Sequence, residues 1–184
     1  SLSFSIDYFT ENRSHILLQR YDEVPGSFRA TLPLENLGKV KNKGVDMSLT
    51  YHKRIGDFDW SIGGNFTYAR NEIVEMAEAA GTSEYMRKTG SPIHGYYGYK
   101  TDGLFQSQEE IDNYAKQEVA GSNYVTQPGD IKYVDVNGDN VVNYDDMTYL
   151  GNGNVPEIVY GINGALKWKN VDFSFLLQGA GRVQ

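Results

Sequence analysis

The feature that most restricts this chain is a strict period of two. In SLSFSIDYF, Leu2, Phe4, Ile6 and Tyr8 alternate with Ser1, Ser3, Ser5 and Asp7. The pattern recurs at Val45, Met47, Leu49 and Tyr51, and again at Phe58, Trp60, Ile62, Phe66 and Tyr68. It returns at Ile158, Tyr160, Ile162, Leu166 and Trp168, and last at Val171, Phe173, Phe175 and Leu177. Successive side chains of a strand point to opposite faces, so each stretch predicts a strand with one apolar face. The polar positions between them are mostly Ser, Thr, Asn, Gly and Asp, small groups suited to a crowded, wet lumen. A soluble sandwich would instead turn many Lys and Glu to bulk water. Aromatic residues near the strand ends (Tyr8, Tyr51, Phe58, Tyr68, Trp168) fit the interfacial girdles of a membrane barrel.

The connections sharpen this reading. Strands two and three are joined by the tight RIGDFD, and strands four and five by KWKN. The other two connections are long, about 30 and about 85 residues, so short and long alternate as in an outer-membrane barrel with short periplasmic turns and long external loops. The expected fold is all-β: about five antiparallel strands of a transmembrane outer-membrane β-barrel. The external loops are expected at about 11–42 and 70–156. No apolar run is long enough for a membrane-spanning helix, a test to which barrels are blind. Ser1 starts directly in a strand pattern and the far end stops just past another, which reads as a segment of a longer protein.

Lys plus Arg number 17 against 24 Asp plus Glu, a net charge of -7, which argues against a nucleic-acid partner. Cysteine is absent, so disulfides and thiolate metal sites are excluded. His15, His52 and His94 are far apart and lack metal-ligand spacing. No phosphate loop, nucleophile elbow or zinc-protease motif occurs, and Glu109–Glu110 falls on a solvated helix; no catalytic residue and no enzyme activity are expected. That short helix is predicted from Ser107 and Glu110, which have capping-box spacing, with Ile111, Tyr114 and Val119 as an apolar stripe and Gly121 as a stop. The stretch EIVEMAEAA reads equally as a helix or as a strand extension above the membrane. Tyr96, Tyr97 and Tyr99 could stack on sugar rings or pack their own loop.

DVNGDNVVNYDD follows a calcium-loop template. Asp135, Asn137 and Asp139 fall at positions one, three and five, Val141 offers its carbonyl at seven, and Asn143 and Asp146 stand at nine and twelve. Val142 is the apolar residue such loops turn inward. Asn140 replaces the usual Gly at position six, and Asn tolerates the left-handed conformation needed there. Asp for Glu at the last position resembles dockerin-type loops, and the extended PGDIKYV ahead of the loop argues against a regulatory EF-hand. A bound structural Ca2+ is expected; the alternative is an Asx-turn-rich loop that needs no metal.

Taken in order, LGKVKNKGVDMSLTY, FDWSIGGNFTYARNEI, GYYGYKTDGLFQSQEEI and the run from PGDIKYVDVNGD through LGNGNVPEIVYGI to FLLQGAGR resemble the SusC/RagA family of TonB-linked (TonB-dependent) outer-membrane transporters. The resemblance covers essentially the whole chain. It implies that 1–184 belong to one TonB-dependent receptor β-barrel domain, a later segment of a 22-stranded barrel, with the plug domain and TonB box upstream and absent here. It further implies nutrient import of oligosaccharides or peptides with a SusD-like surface lipoprotein, driven by the TonB system, in the outer membrane of a Bacteroidetes-type bacterium. The family carries an aspartate-rich loop where Asp135, Asn137, Asp139, Asn143 and Asp146 stand, usually with Gly in place of Asn140. The competing reading from the residues alone is a secreted, calcium-stabilised β-sandwich that binds carbohydrate.

Overall fold

A computed structural model describes residues 1–19, 33–79, 81–119, 121 and 123–183. Three long strands come first: β1 (Leu2–Gln19), β2 (Leu34–Ile55) and β3 (Phe58–Glu75). A long excursion then carries β4 (Tyr96–Gly98), β5 (Thr101–Leu104), the helix α1 (Gln108–Asp112), β6 (Lys116–Gln117), β7 (Ile131–Tyr133), β8 (Val141–Val142) and β9 (Thr148–Gly151). The chain returns through β10 (Ile158–Trp168) and β11 (Val171–Gly181). The wall is one sheet in the order β1-β2-β3-β10-β11, every neighbour antiparallel.

The register turns five alternating sequences into two chemically opposite faces. Leu2 pairs with Tyr51, Tyr51 with Ile62, Ile62 with Gly164, and Gly164 with Phe175. The next row reads Phe4, Leu49, Gly64, Ile162, Leu177, and the one after it Ile6, Met47, Phe66, Tyr160, Gly179. On the other face the rows read Ser3, Thr50, Gly63, Asn163, Leu176 and Ser5, Ser48, Asn65, Gly161, Gln178. A slip of one residue in any strand would send its whole apolar set into the polar face, so one-sided burial fixes the register.

The apolar band has the height of a bilayer. Phe58 stacks on Trp168 with centroids 5.4 Å apart, and Tyr51 tilts against Trp60 at 5.2 Å, marking the end near the tight turns. Tyr8, Val45, Tyr68 and Ile158 form the far row. The ten-residue rise between those ends is roughly 33 Å along the strand. Tilted about 40°, it spans about 25 Å, the height of a barrel's apolar band. No second sheet covers this face among the described residues: Phe4, Ile6, Phe173 and Leu177 are each more than half exposed. A sandwich would bury them, so the carbohydrate-binding sandwich does not describe this wall.

The tight turns behave as expected. Gly56 (φ 60) and Lys169 (φ 53) each take the first central position of a two-residue hairpin, where positive φ matches the twist of the strands. The tall strands are the surprise. β2 has 22 residues and β1 and β3 have 18 each, and ladder pairs such as Glu11–Asn42 and Asn42–Asn71 run well past the aromatic row. The loop spans expected at 11–42 and 70–156 therefore contain paired strand at 11–19, 34–42 and 70–75; the tip of the first, residues 20–32, lies outside the described residues. Period two fails as a signal there because the apolar residues fall on both faces, as in the run Ile16, Leu17 and Leu18, and the register shifts beside Ile16. EIVEMAEAA resolves in the same way, as strand through Glu75 and irregular chain at 76–79; its last residue, 80, lies outside the described residues.

Replacing Ile62 or Phe173 with Arg in the full-length barrel is expected to destabilise it by roughly 2–4 kcal/mol at the band's midplane, with Asn65→Arg much milder. Folding titrations into lipid vesicles check this, and equal effects on the two faces would contradict it.

Candidate functional site

The excursion between β3 and β10 folds back on itself as nested pairs: β4 with β9, β5 with β7, and β6 with β8, the last pair parallel. This gives the loop a small core of its own. Phe105 and Val142 are its large buried hydrophobic side chains, 1% and 0% exposed. Phe105 meets Tyr114 edge-on at 5.6 Å, and Lys132 lies over the Tyr114 ring. Buried Val142 is the inward apolar residue that the loop template requires.

The Asp-rich loop is held together by its own side chains. Asp135 accepts from the amides of Gly138 (2.6 Å) and Asn140 (2.8 Å), Asn137 from Asp139 (2.8 Å), and Asp139 from Val141 (2.8 Å). Asn143 accepts from the Asp145 amide at 2.7 Å and caps a short 3₁₀ turn, Tyr144–Asp146. Asp146 is fully buried and accepts from Val136 (2.8 Å), Asn137 (3.3 Å) and Asn143 (2.8 Å). Asn140 has φ 65, the left-handed geometry expected at position six. In kind, these oxygens suit a hard cation such as Ca2+. Among the described residues Asp135, Asp139 and Asp146 do not by themselves form a carboxylate group that could hold a metal ion, so the proposed ligand set depends equally on Asn137, Asn143 and the Val141 carbonyl. The loop as it stands is a run of Asx turns.

Its contacts tie the two legs of the excursion together. The Tyr85 hydroxyl donates to the Asp145 carbonyl at 2.8 Å, and the Thr148 hydroxyl to the Tyr85 carbonyl at 3.1 Å. Gly153 passes so close to His94 that a Cβ there would sit 1.6 Å from its carbonyl oxygen. The excursion is also sewn to the wall: Ile73 donates to Ser91 O (2.9 Å), Gly90 to Ile73 O (2.8 Å), and the Ile93 amide to Asn71 Oδ1 (2.7 Å). At the re-entry point Glu157 is buried between Arg70 Nε (3.8 Å) and Arg182 Nε (3.2 Å).

The tyrosines divide. Tyr97 packs on Tyr149 (5.7 Å) and donates to the Arg87 carbonyl; Tyr99 packs on Tyr133 (5.5 Å), and burial raises its pKa. Both line the loop's own interior, while Tyr96 is 45% exposed. Near them lies a cluster that the sequence spacing does not suggest. Lys132 bridges Glu110 (2.9 Å) and Asp102 (3.0 Å), drawing β5, α1 and β7 together. The amide of Gln106 first, and then Lys132, hold the Glu110 carboxyl below its ordinary value.

The helix needs a correction. Ser107 caps it, accepting from Glu110 N at 3.2 Å, but Glu110 reaches back to the Gln106 amide rather than to Ser107. It ends at Asp112, and the chain is extended again by Lys116, so Val119 and Gly121 are not its stripe and stop. Lys116 and Gln117 instead pair with the Asp-rich loop at Val141 and Val142. That strand pairing outcompetes another helical turn.

A one-sided antiparallel wall with tight turns at one end and a folded excursion at the other defines a transmembrane β-barrel segment. A family model described as TonB dependent receptor-like, beta-barrel, matches residues 1–174, and the chain belongs to that family. It is similar to TonB-dependent receptor P26 of Formosa agariphila, 29% identical over 185 residues, covering 95% of this chain and 18% of that protein. It is also similar to TonB-dependent receptor SusC of Bacteroides thetaiotaomicron, 25% identical over 147 residues, covering 79% of this chain and 14% of that one. Among solved structures, the RagAB peptide importer in its open-open state matches with a TM-score of 0.68 at 18% identity, covering 99% of this chain and 19% of that one, a likeness of fold. The chain spans less than a fifth of these relatives. Its place is the Gram-negative outer membrane.

Two outcomes are expected here. Asp146→Ala strands three backbone amides and should lower the local stability of the Asp-rich loop by about 2–3 kcal/mol, read by amide hydrogen exchange. Exchange at Val136 and Asn143 no faster than in the wild type would contradict this. The Glu110–Lys132 contact should stabilise the loop above the ordinary carboxylate range and be lost as the pH falls through the depressed Glu110 value. The protection factor of the Gln106 amide, its exchange rate corrected for the intrinsic pH dependence, should therefore fall at low pH in the wild type, and less so in Glu110→Gln.

Proposed function

We propose that this chain is a wall segment, with its extracellular excursion, of a TonB-dependent transporter that imports oligosaccharides or peptides together with a SusD-like surface lipoprotein. The observation that carries this reading is the division of labour along the strands. The excursion builds its own core and hydrogen-bonds to the tops of the strands, at the end away from the tight turns. Such a unit can meet an incoming solute or a partner while the wall stays unchanged. The names of the relatives support import, and the printed title of one neighbour describes a peptide importer. The segment contributes structure and recognition, and no catalytic step is assigned to it.

Within this reading the Asp-rich loop is the staple of the excursion, and Ca2+ is its proposed ion. Asp135, Asn137, Asp139, Asn143 and Asp146 would offer side-chain oxygens and Val141 its carbonyl. Binding would require the carboxylates to draw in from their present Asx turns. Tyr96, the exposed member of its cluster, is the proposed contact to solute, with Tyr97 and Tyr99 behind it.

Calorimetry on the full-length transporter should show a calcium heat that disappears in Asp135→Ala with Asp139→Ala; identical titrations would remove the ion and leave the Asx staple. For transport, cells expressing the full-length protein should take up labelled oligosaccharide or peptide only when both the lipoprotein and TonB are present. Uptake independent of TonB would overturn the reading.

A further inference from the structure

Just above the apolar band the wall changes character on its lipid-facing side. The last row of the band is Tyr8, Val45, Tyr68 and Ile158. Two residues further out, on the same face, Lys43 pairs with Arg70; two further still, Lys41 pairs with Glu72. With Tyr68 and Gly90 these four residues line a groove of about 320 Å³. Gly90 comes from the excursion, whose hydrogen bonds to Ile73 close the upper end of the groove. Lys41 and Lys43 are exposed and have no ion pair among the described residues, and Glu72 is the groove's only acid. Arg70 lies 3.8 Å from buried Glu157, which holds its guanidinium near the groove.

We propose that this groove is a docking site for the phosphorylated headgroup of an outer-leaflet glycolipid. Height, charge and continuity with the membrane face all point the same way. One two-residue step beyond the aromatic row is about 7 Å. That places Lys43 and Arg70 at headgroup depth, since the polar region adds several ångströms beyond each side of the hydrocarbon core. Lys supplies point charge and Arg a planar fork, the two side chains that serve phosphate best. The aromatic row beneath receives the upper acyl chain and the sugar. The tight-turn end of the polar face differs: there Arg54, Asp59, Lys167 and Asp172 pair in register with alternating sign, so their charges cancel locally. This inference rests on the outer-membrane placement of the wall and is independent of what the transporter carries.

The test uses the full-length transporter in detergent, stripped of lipid, with native mass spectrometry to count adducts. The probes are phosphorylated lipid A and the same lipid after removal of its phosphates. The wild type should retain the phosphorylated form at least about tenfold better, given two net positive charges at the surface. Lys41→Gln with Lys43→Gln and Arg70→Gln should lose that preference while keeping the heat-modifiable migration of a folded barrel. The double variant Lys41→Gln with Lys43→Gln, which leaves Arg70 beside Glu157, should lose most of it. Lys167→Gln with Lys169→Gln, at the opposite end, should change nothing. Equal retention of both lipids by the wild type, or undiminished preference in the triple variant, overturns the proposal. So does complete displacement of the lipid by millimolar inorganic phosphate, which would make the groove a site for the free anion.

Discussion

The structure depends on one unbalanced surface. Five strands in register set Leu2, Phe4 and Ile6 beside Met47, Leu49 and Tyr51, then Ile62 and Phe66, then Tyr160 and Ile162, then Phe175 and Leu177, and nothing within the described chain covers them. In water such a face would drive association. In hydrocarbon it is satisfied at once, provided that every backbone amide and carbonyl is paired, which is why a membrane accepts strands only as a closed wall. The remaining features follow from that. The band is 11 residues tall in β10 and β11, its edges are aromatic, and its other face is small and polar. The open edges of β1 and β11 await the neighbouring strands of the barrel.

The excursion answers a different problem. Beyond the membrane there is no lipid to satisfy an apolar face, so a long connection needs its own packing. It finds this in Phe105, Val142 and Tyr114, and in polar groups that satisfy each other: Asp146 with three amides, and Lys132 with two carboxylates. The Asp-rich loop is central to that economy. Its side chains replace backbone partners that a tight, irregular turn cannot supply, and its edge pairs with β6.

The wall was legible in the sequence because lipid on one side and a wet lumen on the other impose a period of two with high contrast. All five strands lie where the alternation of Leu2 to Tyr8, Val45 to Tyr51, Phe58 to Tyr68, Ile158 to Trp168 and Val171 to Leu177 places them. The upper ladders were not legible, since pairs such as Glu11–Asn42 carry no contrast. In the excursion, local chemistry was readable and distant chemistry was not. Ser107 caps its helix and Asn140 takes the left-handed turn, both from residues close in sequence. The helix stopped short because Lys116 and Gln117 found a partner two dozen residues away, and Lys132 joined Asp102 and Glu110 across a similar gap. No spacing rule exposes such pairings. Tyr97 and Tyr99 likewise turned inward through Tyr149 and Tyr133, partners visible only in the fold.

The central claim is that one face of the wall meets lipid and the other an aqueous lumen. It is tested most directly on β10, in a chain segment that contains no cysteine of its own. Single cysteines placed in turn at positions 159 to 166 of the full-length transporter, in a cysteine-free background and in intact outer membranes, report the environment of each side chain. Labelling by a small water-soluble thiol reagent should alternate, strong at 159, 161, 163 and 165 and weak at 160, 162, 164 and 166. Quenching of an attached fluorophore by lipid-borne quenchers should alternate in the opposite phase. Uniform aqueous labelling along the strand, or the same phase for both probes, would contradict the account.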